Sequence, residues 1–319
     1  MEVCPVGNEH CGIQCVPTGT CCQTGYESCR GDCVPVGTCN AGTGGSGSGG
    51  SGSGGSTGGT PPTGGRENVI IPVTCNDTGS GSGTLNSAYS GTSINAGSKS
   101  YYLQTNWWDH YDGQAINYTG LSFGINGSTR DAGNNNPAGF PSFFIGSYSG
   151  NTTSGSGLPR QISALSSVPT EIQTNLMNVD HSDFNATYDV WFTAGGSPLG
   201  SGQYNPGSGG AYLMVWLNRP TSRSPIGGVS GGAREVFGVE GTWNVFRSST
   251  GGPGGLPIVS YVSAEPIAGL AFDLKAFIDD AVEIGILTSS QYLSIVFGGF
   301  EVWSGPSGIS LNKFCVNVQ

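Results

Sequence analysis

Charge is what this chain has least of. Only 10 % of its 319 residues are Asp, Glu, Lys or Arg, where about 25 % is ordinary for a globular protein. Basic residues are the scarcer kind, 11 against 21 acidic ones, for a formal net charge of -10. Such a chain has no basic face for a phosphate backbone, which argues against a nucleic-acid partner. No apolar run approaches the roughly 18 residues needed to cross a bilayer, so no membrane partner is expected. No metal or organic cofactor is implied by any motif. The opening Met1-Glu2-Val3-Cys4 has neither the basic start nor the apolar run of an export signal. The chain is therefore read as the mature form of a secreted, extracellular protein.

What the chain has instead is glycine and cysteine. Gly accounts for 57 residues, about 18 % against a usual value of about 7 %. Ten cysteines suit an oxidising compartment, where disulfides persist. Eight of them lie in residues 1–40, in an internal repeat. Cys11-x3-Cys15-Val16-Pro17-Thr18-Gly19-Thr20-Cys21 recurs 18 residues later as Cys29-x3-Cys33-Val34-Pro35-Val36-Gly37-Thr38-Cys39. A segment this short buries little apolar surface and needs cross-links. The CxxC pairs of a zinc ribbon are missing, so a small disulfide-rich module is expected, with its pairing left open. Residues 41–65 are almost wholly Gly, Ser and Thr with Pro61 and Pro62, and carry no charge. Nothing there offsets the entropy of ordering, so a flexible linker is expected.

Residues 66–319 read as the main domain. Short alternating runs recur between Gly, Asn and Ser turns: 101–107, 120–125, 142–145, 187–193, 212–217, 242–246, 257–262 and 291–297. That pattern predicts an all-β sandwich or jelly roll. One stretch, near 270–287, has helical period, with Leu274, Phe277, Ile278, Ala281 and Val282 on one side. Cys75 and Cys315 are the two remaining cysteines. Pairing them would staple the ends of this domain.

Seven short motifs then follow one another in a telling order: Thr105-Asn106-Trp107-Trp108; Phe140-Pro141-Ser142 with Leu158-Pro159; Ile162-Ser163-x3-Ser167-Val168-Pro169; Tyr188-Asp189-Val190-Trp191; Leu213-Met214-Val215-Trp216-Leu217-Asn218-Arg219; Ser224-Pro225-Ile226-Gly227; and Gly299-Phe300-Glu301-Val302-Trp303. Over roughly 100–314 the chain resembles glycoside hydrolase family 12, secreted endo-β-1,4-glucanases and xyloglucanases with a concanavalin-like β-jelly roll. The resemblance implies a β-glucan partner (cellulose, xyloglucan or mixed-linkage glucan) and a monomer. It assigns Glu301 as general acid/base and Asp189 as the helper carboxylate. It places Asn106 and Trp108 in the sugar-binding cleft, and Met214, Trp216 and Trp303 are further cleft candidates by strand parity. Strand parity agrees: Tyr212, Met214, Trp216 and Asn218 share one face, Leu213, Val215 and Leu217 the other. By the same alternation Trp107 should turn away from Trp108, into the core. A carboxyl at Glu301, flanked by Phe300, Val302 and Trp303, should have a raised pKa, which suits a general acid.

The chain departs from the family at one position. The family has its nucleophile Glu directly before Leu-Met-x-Trp, and this chain has Tyr212. No Glu lies between Glu171 and Glu235, so no slip of register recovers one. Three readings follow: a hydrolase that works through Tyr212 or by an inverting route, with Asp189 as the base; a non-hydrolytic β-glucan-binding protein; or a protein whose cleft has been turned to another substrate or to a protein partner. Five Asn-x-Ser/Thr sequons, at Asn76, Asn117, Asn126, Asn151 and Asn185, are compatible with a eukaryotic secreted protein.

Overall fold

The computed structural model describes residues 68, 70, 73–109, 113–127, 136–180, 183–226, 228–304 and 308–319, and the backbone of four short strands nearer the start. The chain divides into two compact units, Met1–Gly65 and Arg66–Gln319. In the first, β1 (Asn8–Cys11) pairs antiparallel with β2 (Gln14–Pro17), and β3 (Tyr26–Cys29) with β4 (Asp32–Pro35). The second hairpin repeats the first at the 18-residue offset of the cysteine repeat. The pairing of the eight cysteines and the segment 41–65 lie outside the described residues.

The second unit contains β5 (Ser82–Leu85), β6 (Gly91–Ala96), β7 (Lys99–Gln104), β8 (Ala115–Thr119), β9 (Ser122–Asn126), β10 (Ser142–Tyr148), β11 (Asn151–Thr152) and β12 (Arg160–Gln161). Then come β13 (Pro169–Thr174), β14 (Phe184–Thr193), β15 (Ala211–Trp216), β16 (Val229–Glu235), β17 (Thr242–Gly252), β18 (Leu256–Ser263) and β19 (Gly269–Asp273). Helix α1 (Lys275–Glu283), β20 (Tyr292–Val302) and β21 (Ser310–Val316) complete it. The larger sheet runs β16-β17-β18-β15-β14-β20-β10-β7-β6, with β11 on β10 and β12 on β20; the smaller runs β19-β13-β21-β9-β8-β5. Among the described strands, all pairings are antiparallel except β15 with β18.

Alternation along the strands decides which side chains meet. Val190, Leu213, Val215, Val296 and Phe300 from the larger sheet share one core with Ile116, Phe123, Ile172, Leu311 and Phe314 from the smaller. That core is the interior of the sandwich. The other face of the larger sheet has an apolar cluster of its own, containing Trp191, Tyr212, Met214, Trp216, Phe297 and Trp303. Trp107 is 1 % exposed and joins the interior core, whereas Trp108 is 44 % exposed, as alternation predicts.

The helical segment is shorter than the sequence suggests. Residues 269–273 form β19, paired with β13, and Leu270 and Phe272 are buried there by a period of two. The helix itself begins at Lys275. It buries Phe277, Ile278 and Ala281 and keeps a Lys275–Asp279 pair, 2.6 Å, on its outer side. Its buried Asp280 accepts a 2.6 Å bond from the Tyr261 hydroxyl and pairs with Arg234 at 2.7 Å, tying the helix to β18 and β16. A Cys75–Cys315 disulfide joins positions 240 residues apart. It fastens the segment before β5 to the last strand.

Candidate active site

The face of the larger sheet turned away from the sandwich interior carries most of the sequence-predicted residues. Register sets their positions. Asn185 of β14 lies opposite Glu301 of β20, and Asp189 lies between Phe297 on one side and Met214 of β15 on the other. Trp191 lies opposite Tyr212. Between Phe297 and Glu301 stands Gly299, where a Cβ would come within 2.2 Å of the Pro141 carbonyl oxygen. Glycine there lets the chain at Pro141–Ser142 close against the strand.

Glu301 is held from two sides by one residue. The Asn185 amide donates to Glu301 Oε2 at 2.6 Å, and Asn185 Oδ1 accepts from the Glu301 backbone N–H at 3.1 Å. Loss of surrounding water pushes the Glu301 carboxyl up to about 8; the Asn185 bond pulls it down, and the nearby Asp189 charge adds a further rise. Asp189 accepts a 3.0 Å bond from the Trp191 indole. Burial pushes it up to about 7, with bonds from Trp191 and the Val190 amide opposing. Both carboxyls thus ionise near neutral pH.

Tyr212 is built into the wall. It is 3 % exposed, its ring meets the Trp191 ring edge-on at 5.5 Å, and its hydroxyl donates to the Pro253 carbonyl at 3.3 Å. Gly252 leaves the space its ring occupies: a Cβ there would lie 2.9 Å from Tyr212 Cδ2. Burial raises the phenol pKa well above its usual value, and the charges of Asp189 and Tyr148 raise it further. No hydrogen bond joins Tyr212 to Asp189 among the described residues. The phenol is therefore held protonated, which makes it a poor nucleophile.

Of the expected sugar contacts, Asn106 and Trp108 line an open cleft of about 550 Å³, together with Tyr102, Gln104, Tyr148 and Tyr204. Among the described residues, no charged side chain lines it. Met214, Trp216 and Trp303 do not reach this cleft; they are buried, and the two indoles pack on each other at 6.0 Å. Tyr148 links the cleft to the carboxylates. Its ring meets Trp191 at 5.4 Å and Phe297 at 5.3 Å. Its phenol is pushed up to about 12 by burial and then by the Asp189 charge.

The sequence reading missed Asn185, Tyr148 and the cleft tyrosines. Asn185 stands four residues before Asp189 on one strand, so period-two parity puts both on the same face; the expected strand began too late, at Thr187, to include it. Tyr148 shares parity with Phe144 on β10, whose expected strand ended at Ile145. Tyr204 and Tyr89, which also lines the cleft, are on loops, where no period marks them.

A model of the family described as glycosyl hydrolase family 12 matches residues 99–319. The chain belongs to glycoside hydrolase family 12. It is 27 % identical over 165 residues to the probable cellulase Cel12b of Mycobacterium tuberculosis, covering 52 % of this chain and 99 % of that protein. It is also 27 % identical over 160 residues to the xyloglucan-specific endo-β-1,4-glucanase A of Emericella nidulans. That match spans 50 % of this chain and 62 % of the relative. Among solved structures, the endoglucanase cel12A from Rhodothermus marinus is 34 % identical with a TM-score of 0.63, covering 74 % of this chain and 98 % of that one. The family 12 scaffold is an endoglucanase and xyloglucanase scaffold, and its substrates are β-glucans such as cellulose and xyloglucan.

Proposed function

We propose that the open face of the larger sheet binds a β-1,4-linked glucan, and that Tyr212, in place of the family's nucleophile Glu, removes retaining hydrolysis. On this reading the protein is a secreted, monomeric glucan-binding member of the family. The support for glucan binding is a cleft whose described lining is aromatic and uncharged: sugar rings present flat C–H faces on which Trp and Tyr stack. The observation that carries the loss of the retaining route is the Tyr212 hydroxyl, given to Pro253 and away from Asp189. A retaining glycosidase needs a carboxylate or an activated phenol at that point, and among the described residues no base bonds the phenol. Co-sedimentation with cellulose and xyloglucan, run beside reducing-end release from the same polymers, tests the reading. Binding with negligible release supports it; release at a typical endoglucanase rate overturns it.

A second reading, inverting hydrolysis, is favoured by the two carboxyls poised at about 7 and about 8. In that scheme Glu301 protonates the leaving oxygen and Asp189 draws a proton from attacking water. Proton NMR of the first-formed anomer decides it. An α-product means inversion, and a β-product means that a covalent intermediate forms after all.

A further inference from the structure

Five sequons were left unexplained by the cleft, and the fold sorts them. Asn185 is fully buried and grips Glu301; a sugar on its amide would leave no room for β20. Asn151 is half-buried on the wall of the cleft, where a glycan would stand in the path of a polysaccharide. Asn76 is exposed beside the disulfide-bonded Cys75. Asn126 is exposed at the end of β9, and its sequon is completed by Ser128, outside the described residues.

Asn117 is different. It lies mid-strand on β8 and is exposed, while the preceding Ile116 is fully buried in the sandwich core. Its side chain therefore stands on the outer face of the smaller sheet, across the sandwich from the cleft. The Thr84 hydroxyl, directly opposite on β5, donates to Asn117 Oδ1 at 2.7 Å. With the oxygen held against β5, the amide nitrogen is turned the other way. A groove of about 240 Å³ opens beside it, lined by Asn117, Tyr118, Gly124, Ser310 and Asn312 among others. Tyr118 packs its side chain on the core instead, so what the groove offers is polar: Asn117, Thr119, Ser122, Ser310 and Asn312 can bond the hydroxyls and acetamide of a hexosamine ring.

We propose that Asn117 is an N-glycosylation site whose first N-acetylglucosamine lies in this groove when the chain passes through a eukaryotic secretory pathway. In the transfer, Asn117 Nδ2 bonds to C1 of the sugar of a polyprenyl-diphosphate-linked oligosaccharide. The C1–O bond breaks with its electron pair going to the diphosphate, and one amide proton passes to the transferase. A bulky, solvated glycan there would cover the β5–β8 border of the smaller sheet. β5 is the edge strand, and exposed edges invite pairing with other chains. The cleft on the opposite face stays open. This inference is independent of what the cleft binds.

The test uses the full chain secreted from a yeast host and glycopeptide mapping before and after endoglycosidase H. The expected result is a peptide containing Asn117 that keeps one N-acetylhexosamine after the enzyme, and a peptide containing Asn185 that is unmodified. Thr119→Ala and Asn117→Gln should each abolish the Asn117 adduct without changing the cleft's glucan binding. An unmodified Asn117 in the secreted wild-type protein would overturn the proposal. So would a glycan on Asn185 in folded protein, since the sorting by burial would then be wrong.

Discussion

Replacing Asn185 by Ala removes the donor that steadies the Glu301 carboxylate. The lost contact is a 2.6 Å bond to a group that must carry charge when ionised, and such a bond is worth about 1.5–3 kcal/mol. One pKa unit corresponds to about 1.36 kcal/mol, so the ionised form loses support equivalent to about one to two pH units. Glu301 is partly open to solvent, and water will recover part of this, which puts the expected rise near the lower end. Glu301 already titrates at about 8 because of burial. Without Asn185 its midpoint should move higher still. The same substitution strips the Glu301 backbone N–H of its acceptor, so modest destabilisation should accompany the shift. Carbon-13 NMR titration of the labelled side-chain carboxyl, assigned by comparison with Glu301→Gln, reads the midpoint without any need for activity. A midpoint that stays put or falls in folded Asn185→Ala protein would refute the reasoning.

Four further outcomes follow from the same geometry. Asp189 and Glu301 keep their protons in the fold to about 7 and about 8, against ordinary values of 3.8 and 4.5. Since the folded state binds more protons than the unfolded one across that window, stability should fall as pH rises from about 4 to about 8. Asp189→Asn/Glu301→Gln should therefore melt higher than wild type at pH 8, with the gain vanishing toward pH 4 in calorimetry. Trp108→Ala should leave the melting temperature nearly unchanged and weaken glucan binding by about 1–3 kcal/mol in isothermal titration. Trp107→Ala should instead destabilise the fold by about 3–5 kcal/mol in denaturant melts. Opening the Cys75–Cys315 bond, by Cys75→Ser/Cys315→Ser, releases a loop closure of 240 residues. The cost has an upper bound of about 5 kcal/mol, measured by the same melts.

Where a strand is apolar and regular, its placement was legible in the chain. On 212–217 and 187–193 the period of two separates Leu213 and Val215 from Met214 and Trp216, and Val190 from Trp191, and the two clusters divide the same way. The opposed fates of Trp107 and Trp108 follow from the same rule. Legibility fails where side chains are too small or polar to show a period: β6 reads Gly-Thr-Ser-Ile-Asn-Ala and β16 includes Gly231 and Gly232. It fails at 269–273 because Leu270, Phe272 and Leu274 fit a strand entering a helix as well as they fit a longer helix. At the site, the sequence names the chemistry-bearing types but not who holds them. Asn185 looks like a sequon until register sets it opposite Glu301. The Pro253 carbonyl that takes the Tyr212 hydrogen bond is 41 residues away, a contact that only the parallel β15–β18 pairing and its preceding turn bring about.

The most direct test of the central claim is the initial rate of reducing-end release from xyloglucan and carboxymethyl cellulose by wild type and Tyr212→Glu. Both proteins are full-length, and both are checked for fold and for glucan binding. Glu is shorter than Tyr and frees space against Gly252 and Trp191, while Glu301, Asn185 and Asp189 stay in place. The account predicts a wild type that binds but releases ends far below about 10 per second, the median turnover of enzymes. It predicts a variant that is faster and gives the β-anomer. A wild type already near that rate, or a folded, glucan-binding Tyr212→Glu no faster than wild type, would contradict it.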